Sequence, residues 1–116
     1  MKYTILLFCT AISLSAAAQT KKITVAHDGS GTYKTVQAAI DAVPAGNTAP
    51  VEIYIKKGIY KEMLNLPAGK NFVTMKGENK DNTIITYNNH TGGNLPNGTP
   101  ANTYNSATFF IYGNDF

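Results

Sequence analysis

The strongest constraint on the fold is an alternation of apolar and polar side chains between positions 51 and 67. Val51, Ile53 and Ile55 occupy every second position, which is the pattern of a strand that buries one face. Gly58 interrupts the run, and a second alternation continues until Pro67 stops it. We therefore predict two short strands that flank a glycine corner, each with an apolar face that needs a partner.

Similar strand patterns recur along the rest of the chain. They cover positions 22–26, 72–75, 83–87 and 107–112. Strands this short and closely spaced fit either a sandwich of hairpins or a solenoid in which two or three strands make up each coil. No Asn-Gly or Asp-Gly turn joins neighbouring alternating runs, so the hairpin signal is weak and the sequence favours the solenoid.

A single amphipathic helix is predicted near the start of the chain. Four apolar residues from Val36 to Val43 follow the i, i+3, i+4, i+7 spacing of a helix with one apolar face. Thr35 can cap its N-terminus, and Pro44 ends it. Because a solenoid exposes its core at the first coil, we predict that this helix covers that open end.

The turn before this helix contains two glycines, Gly29 and Gly31, which are available for positive φ angles. They also match two of the three glycines of a dinucleotide-binding fingerprint. The third glycine position holds Lys34, and no carboxylate ends the next strand. A tight strand-to-helix turn is the better interpretation, and no cofactor is expected.

Residues 1–18 have the features of a secretory signal peptide. Lys2 precedes an apolar run, and an A-x-A cleavage site follows it. Cleavage there removes Cys9, the single cysteine, so residues 19–116 would form one exported domain without disulfides. Exported domains without disulfides are commoner in bacterial envelopes than among small secreted domains of animals. We therefore expect a secreted or periplasmic protein, of bacterial origin, with no membrane attachment after cleavage.

Charge and histidine content argue against two classes of partner. The formal net charge is +3, and the lysines that carry the positive charge are spread along the chain. Nucleic-acid-binding proteins cluster their basic residues, so no nucleic acid partner is expected. His27 and His90 lack a Cys or carboxylate at ligand spacing, and we predict no metal site.

A polar loop between positions 88 and 105 is rich in Asn, Gly, Thr and Pro. Loops of this length without structure of their own are usually either functional or disordered. We predict that this loop projects from the solenoid and forms one rim of a binding groove.

Four stretches of the chain match known motifs in their usual order. They are 25–44, 55–62, 83–89 and 103–109, the last with the sequence Thr-Tyr-Asn-Ser-Ala-Thr-Phe. Together they make the chain resemble the N-terminal part of a pectinesterase, a carbohydrate esterase that removes methyl groups from pectin. The resemblance implies an all-β, right-handed parallel β-helix, of which residues 19–116 would be the N-terminal coils with one short capping helix. One departure is Asn102, where many members have glycine.

The resemblance also implies where catalysis takes place. In the family, two aspartates, two glutamines and an arginine lie on coils after the Ser-Ala-Thr-Phe strand. One ionised carboxylate attacks the ester carbonyl, its protonated partner helps methanol to leave, and the glutamine amides stabilise the oxyanion. These segments are expected beyond Phe116, so we assign no catalytic residue here, Asp115 included, and expect the chain alone to be inactive.

One substrate contact carries over from the family. Thr103 matches a threonine that lines the family's substrate cleft, and its hydroxyl can both donate to and accept from sugar oxygens. The expected substrate is methyl-esterified pectin, and the complete enzyme is expected to be a monomer.

Several alternatives stay open. The chain could be part of a non-catalytic exported β-helix that binds carbohydrate, or of a β-helix pectate lyase, which would need calcium ligands. Glu62 could be proposed as a general base, but without a second carboxylate at a fitting spacing a structural role is the better prediction. We predict that Tyr33 and Tyr60 pack against the helix and the first coil rather than stack on sugars.

Overall fold

The computed structural model describes residues 19–116, which contain seven strands and one helix. In chain order the elements are β1 (Lys21–Val25), α1 (Val36–Asp41), β2 (Val51–Ile55), β3 (Gly58–Lys61), β4 (Leu64–Leu66), β5 (Val73–Gly77), β6 (Thr83–Thr86) and β7 (Phe109–Ile111). The predicted signal peptide at 1–18 lies outside the described residues.

All the strand pairs among residues 19–116 are parallel. Sheet A has the order β1-β2-β5, sheet B pairs β3 with β6, and sheet C pairs β4 with β7. β1 adds a strand to sheet A alone, and each of the two later passages, β2-β3-β4 and β5-β6-β7, lays one short strand onto each sheet, as in a parallel β-helix. The solenoid prediction is confirmed at this level, and the alternative of a hairpin sandwich is wrong.

The strand predictions differ from the structure at one corner. The alternation in β2 is confirmed, but the second alternation is two strands, β3 and β4, rather than one. Glu62 lies between them, and its main-chain N–H donates to Tyr60 O at 3.1 Å in a tight bend. The bend carries the chain from sheet B to sheet C, and alternation continues across it because both strands face the same core.

The core is formed by inward-facing side chains of the three sheets together with one face of α1. The buried residues packed together are Ile23, Val25, Val36, Ala39, Ile40, Val43, Val51, Ile53, Ile55, Tyr60, Leu64, Leu66 and Val73. Tyr33 is half-buried against them. The predicted packing of Tyr33 and Tyr60 is therefore confirmed.

The helix begins as predicted but is shorter. Thr35 Oγ1 accepts a hydrogen bond from Ala38 N at 3.2 Å, which confirms the N-cap. Regular helix ends at Asp41, although Val43 beyond it is still buried in the core. The apolar stripe thus predicts which face is buried better than it predicts where the helix ends.

Hydrogen bonds with the second passage of the chain hold the helix in place at three points. Glu62 accepts hydrogen bonds from Val36 N at 2.9 Å and Gln37 N at 3.0 Å, so both carboxylate oxygens satisfy free N–H groups of the first turn. The Gln37 amide in turn bonds both main-chain groups of Asn65, at 2.9 and 3.1 Å. At the other end, the Lys70 ammonium donates to the carbonyls of the last turn, Ile40 O at 2.9 Å and Asp41 O at 3.0 Å.

The two glycines before the helix are required for different reasons. Gly29 has φ +82°, the left-handed conformation predicted for it. Gly31 does not; there a Cβ would lie 2.6 Å from Thr24 O. Gly31 is therefore needed because two backbone segments pass very close together, and the expectation of a positive φ was wrong for this residue.

Three asparagines form a ladder at the corner between sheets C and A. Asn47 Oδ1 accepts from Asn71 N at 2.8 Å, and Asn47 Nδ2 donates to Asn71 O at 2.5 Å. One coil further on, Asn71 Oδ1 accepts from Asn114 N at 2.9 Å. Each side chain thus bonds the main chain of the next coil, which fixes how successive coils lie on one another.

Tyr60→Phe is expected to lower stability by about 1 kcal/mol at neutral pH, because Tyr60 Oη donates to Lys56 O at 2.8 Å and the carbonyl would lose its partner. Burial raises the pKa of Tyr60 above its ordinary value. The stabilisation from the neutral phenol is thus complete below pH ~10 and is lost as pH rises through the folded pKa. Urea melts of both proteins from pH 7 to 11 should show a smaller alkaline loss in the variant. Tyr54→Phe, on the outer face of sheet A, is the control, and an equal alkaline loss in wild type and Tyr60→Phe would contradict the prediction.

Candidate functional site

The loop at 88–105 leaves the body of the molecule directly after β6 and has structure of its own. Asn94 and Pro100 form an antiparallel bridge, and Leu95 N donates to Thr99 O at 2.8 Å. Gly98, at φ +82°, completes the turn at its tip. The Asn-Gly pair at 97–98 was the sequence signal for this small hairpin, and it was missed because the segment does not alternate like a strand.

A second, tighter turn follows the hairpin and carries the predicted substrate-binding residue. Asn102 Oδ1 accepts from Tyr104 N at 2.8 Å, and Asn105 Oδ1 accepts from Asn102 N at 2.6 Å. Asn105 Nδ2 also donates to Pro100 O at 3.2 Å, which ties this turn to the hairpin. These reciprocal bonds satisfy the backbone locally and leave the side chains of Thr103 and Tyr104 exposed at the tip.

Tyr104 is the candidate that sequence reasoning missed. Its side chain is 91% exposed, the highest value among the large apolar residues of the described chain that face solvent. An exposed aromatic ring can stack on the apolar face of a sugar while its hydroxyl bonds water or a sugar oxygen. Its position beside Thr103, between two asparagines that fold back on the chain, was the available signal.

Glu62 has a structural role, as predicted. Both of its carboxylate oxygens accept bonds from the main chain of α1, which leaves this group fixed beside the helix. Asp115 is exposed in irregular backbone after β7, with φ +55°. The structure therefore gives neither carboxylate the partner that acid–base chemistry on an ester requires.

The two histidines have separate surroundings. His27 stacks on Tyr60 with ring centroids 4.1 Å apart, and its Nε2 donates to Ile59 O at 2.8 Å. His90 Nδ1 lies 3.2 Å from Asn88 O within the loop. Within residues 19–116, no group of three or more His, Cys, Asp or Glu side chains is arranged to hold a metal ion.

A cavity of about 240 Å³ lies where the strands of sheet A end. It is lined by Ala26, His27, Asp28, Lys56, Lys57 and Glu78. Hydrogen bonds from the side chain and main chain of Ser30 hold the pKa of Asp28 below its usual value, and Glu78 Oε2 accepts from Lys57 N at 2.6 Å. The two carboxylates thus stabilise turns of the coil.

The described part of the chain contains no helix that is long and apolar enough to span a membrane.

The described residues define a parallel β-helix with one structured loop, and sequence comparison gives its family. Residues 22–116 match the sequence profile of the Pectinesterase family. The chain belongs to the pectinesterase family.

Individual relatives agree with this assignment. A probable pectinesterase of Arabidopsis thaliana, number 67, is 37% identical over 99 residues, which are 85% of this chain and 26% of the relative. A pectinesterase of Petunia integrifolia is 51% identical over 65 residues, 56% of this chain and 17% of the relative. The chain therefore spans about a quarter or less of the length of these curated relatives.

Solved structures show the same similarity. Pectin methylesterase from carrot is 33% identical with a TM-score of 0.64, covering 85% of this chain and 30% of the other. Pectin methylesterase PemA from Erwinia chrysanthemi is 34% identical with a TM-score of 0.66, covering 79% and 27%. A mutant pectin methylesterase in complex with a hexasaccharide has a TM-score of 0.69 at 33% identity, covering 83% and 28%. Because these relatives come from plants and from Erwinia, they do not assign the chain to bacteria.

Proposed function

We propose that this chain forms the N-terminal coils of an exported carboxylic ester hydrolase that removes methyl esters from pectin galacturonate and releases methanol. The observation that carries the proposal is the family match over residues 22–116, nearly the whole described chain. The aspartates, glutamines and arginine of the reaction are expected on coils outside this sequence. Residues 22–116 would therefore form the first coils of the β-helix and part of the substrate cleft, and they would not supply the reacting groups.

The contribution to the cleft is assigned to the turn at 102–105. Thr103 would bond sugar oxygens, and Tyr104 would stack on a sugar ring beside it. The exposure of both side chains on a turn that hydrogen bonds hold rigid supports this assignment. A preformed turn loses little conformational freedom on binding, which favours recognition of a flexible polysaccharide.

The finer features of the fold belong to the same proposal. We propose a right-handed winding of the coils, the hand that parallel crossovers almost always adopt. The helix α1 would cap the first coil, and its contacts with β1, β2 and β4 support this role. Secretion after removal of residues 1–18, and a monomeric complete enzyme, complete the proposal.

A chimera tests the proposed function. Residues 22–116 would replace the matching segment of the carrot pectin methylesterase, and methanol release from esterified pectin would be measured. We expect an active enzyme, because the segment supplies coils of matching geometry. A folded chimera that binds pectin without releasing methanol would favour the non-catalytic binding module.

Tyr104→Ala in this chimera is expected to raise KM for esterified pectin about threefold to tenfold, with a smaller effect on kcat, since a stacking contact contributes to substrate binding. Tyr104→Phe keeps the ring and serves as the matched control. Steady-state kinetics on both variants give the comparison. Unchanged KM in Tyr104→Ala, or equal losses in both variants, would argue against stacking.

A further inference from the structure

Met63 lies at the corner between β3 and β4 and exposes its side chain to solvent. It is 37% exposed. The other methionine among residues 19–116, Met75 of β5, is partly buried and packs against the core. An oxidant reaches a sulfur at the surface more readily than one packed among other side chains. The corner therefore presents an oxidisable sulfur to solvent, and β5 provides an internal comparison.

The sulfur of Met63 also holds the start of the loop at 88–105. Asn89 donates from Nδ2 to this sulfur at 2.9 Å. Among the hydrogen bonds of residues 19–116, this is the one that joins the loop to a coil, since the others made by the loop are between its own residues. The hydrogen bonding between loop and coil thus depends on a single sulfur atom.

Oxidation of the sulfur changes this contact whichever sulfoxide epimer forms. The nitrogen of the Asn89 amide already lies 2.9 Å from the sulfur, so an oxygen atom can enter between them only if they move apart. An oxygen on the other lone pair draws electron density from the sulfur. The sulfur, a weak acceptor even as a thioether, then accepts the N–H poorly. Both epimers therefore weaken the bond that holds the loop.

We propose that Met63 is a reversible oxidation site and that its sulfoxide releases the start of the loop from the corner between sheets B and C. With hydrogen peroxide, the sulfur takes one oxygen atom and gives up two electrons, the O–O bond breaks, and the peroxide is reduced to water. Methionine sulfoxide reductases, one for each epimer, restore the thioether. The turn with Thr103 and Tyr104 belongs to the same loop, so oxidation would change where these side chains lie relative to the coil.

The first measurement is the rate at which each methionine of the full chain is oxidised by dilute hydrogen peroxide. Trypsin cleaves after lysine, and Lys61, Lys70 and Lys76 place the two methionines on separate peptides, 62–70 and 71–76. Mass spectrometry of these peptides follows the gain of one oxygen. We expect the peptide with Met63 to be oxidised severalfold faster than the peptide with Met75. Equal rates would contradict a selective site.

The second measurement is the mobility of the loop by NMR relaxation, before and after oxidation. We expect the signals of the Asn89 side-chain amide to shift and the main-chain order parameters at 88–90 to fall. The hairpin tip at 97–99 should keep its internal hydrogen bonds and its chemical shifts. Treatment with both reductases should restore the original spectrum. If the order parameters at 88–90 stayed the same in protein whose Met63 is oxidised, the inference would be overturned.

Two variants make the test specific. Met63→Leu has a similar volume but no sulfur, so its loop should already be more mobile at 88–90, and peroxide should have no further effect there. Met75→Leu keeps Met63 and should respond to peroxide as wild type does. Circular dichroism checks that both variants keep their strands. A response of the loop to peroxide in Met63→Leu would place the sensitive group elsewhere. None of these measurements uses pectin, so their outcome is independent of the proposed function.

Discussion

Gly31→Ala is expected to lower the free energy of unfolding by about 2–3 kcal/mol, the cost of forcing a methyl group into a close-packed position. Its Cβ would lie 2.6 Å from Thr24 O and 3.0 Å from Ala26 N. Thr24 O also accepts the hydrogen bonds of Thr32 N at 2.8 Å and Tyr33 N at 3.2 Å. Because all the atoms involved are main chain, relief requires the turn to open and these bonds to lengthen. The measurement is the midpoint and slope of urea unfolding.

Gly46→Ala is the matched control for this prediction. Gly46 has φ +72° with no atom within 4 Å of the added methyl group, so it isolates the cost of the backbone conformation. We expect a loss of about 1 kcal/mol there. If the two variants lost the same stability, close approach of the backbone would not be the reason for glycine at position 31.

Glu62→Ala is expected to lower the free energy of unfolding by about 2–3 kcal/mol. Its carboxylate accepts from Val36 N and Gln37 N, and both N–H groups would lose a charged partner at the start of α1. The helix has only six residues and depends on tertiary contacts for its stability. We therefore expect loss of helical circular dichroism as well as a lower urea midpoint.

Two substitutions control for the charge of Glu62. Glu62→Gln keeps one oxygen as an acceptor and should lose about half as much stability as Glu62→Ala. Glu52→Ala removes a carboxylate from the outer face of sheet A and should change stability by less than about 0.5 kcal/mol. If Glu62→Gln matched wild type, the negative charge would be unnecessary; if Glu62→Ala also did, the proposed support of the helix would be wrong.

The sequence predicted the parts of the fold that depend on local periodicity. The alternation of Val51, Ile53 and Ile55 and the stripe on α1 both report which side chains meet the core, and both were confirmed. The break between β3 and β4 could not be predicted in this way, because inward-facing residues keep the same alternation through a corner. The bend at Glu62 depends on a partner, α1, that lies 26 positions earlier for the Val36 contact.

The candidate site was predictable only in part. Thr103 came from a motif, and its role remains a prediction. Tyr104 came from exposure, which results from the paired hydrogen bonds of Asn102 and Asn105. Asparagine occurs in many loops, so composition alone does not reveal which pair closes a turn. The pairing of exposed residues across sheet B likewise depended on register, since Ile59 and Ile84 are neighbours only once β3 and β6 are paired.

The asparagine ladder has a consequence for the loop lengths that this fold can accommodate. Asn47 and Asn71 are 24 positions apart, whereas Asn71 and Asn114 are 43 positions apart, yet both steps are joined by the same type of side-chain to main-chain bond. The coil between Asn71 and Asn114 is longer because it contains the loop at 88–105. The corner nevertheless joins this coil to the preceding one through the same type of hydrogen bond. Insertions in this loop can change the surface that it presents, while the spacing of successive coils stays constant.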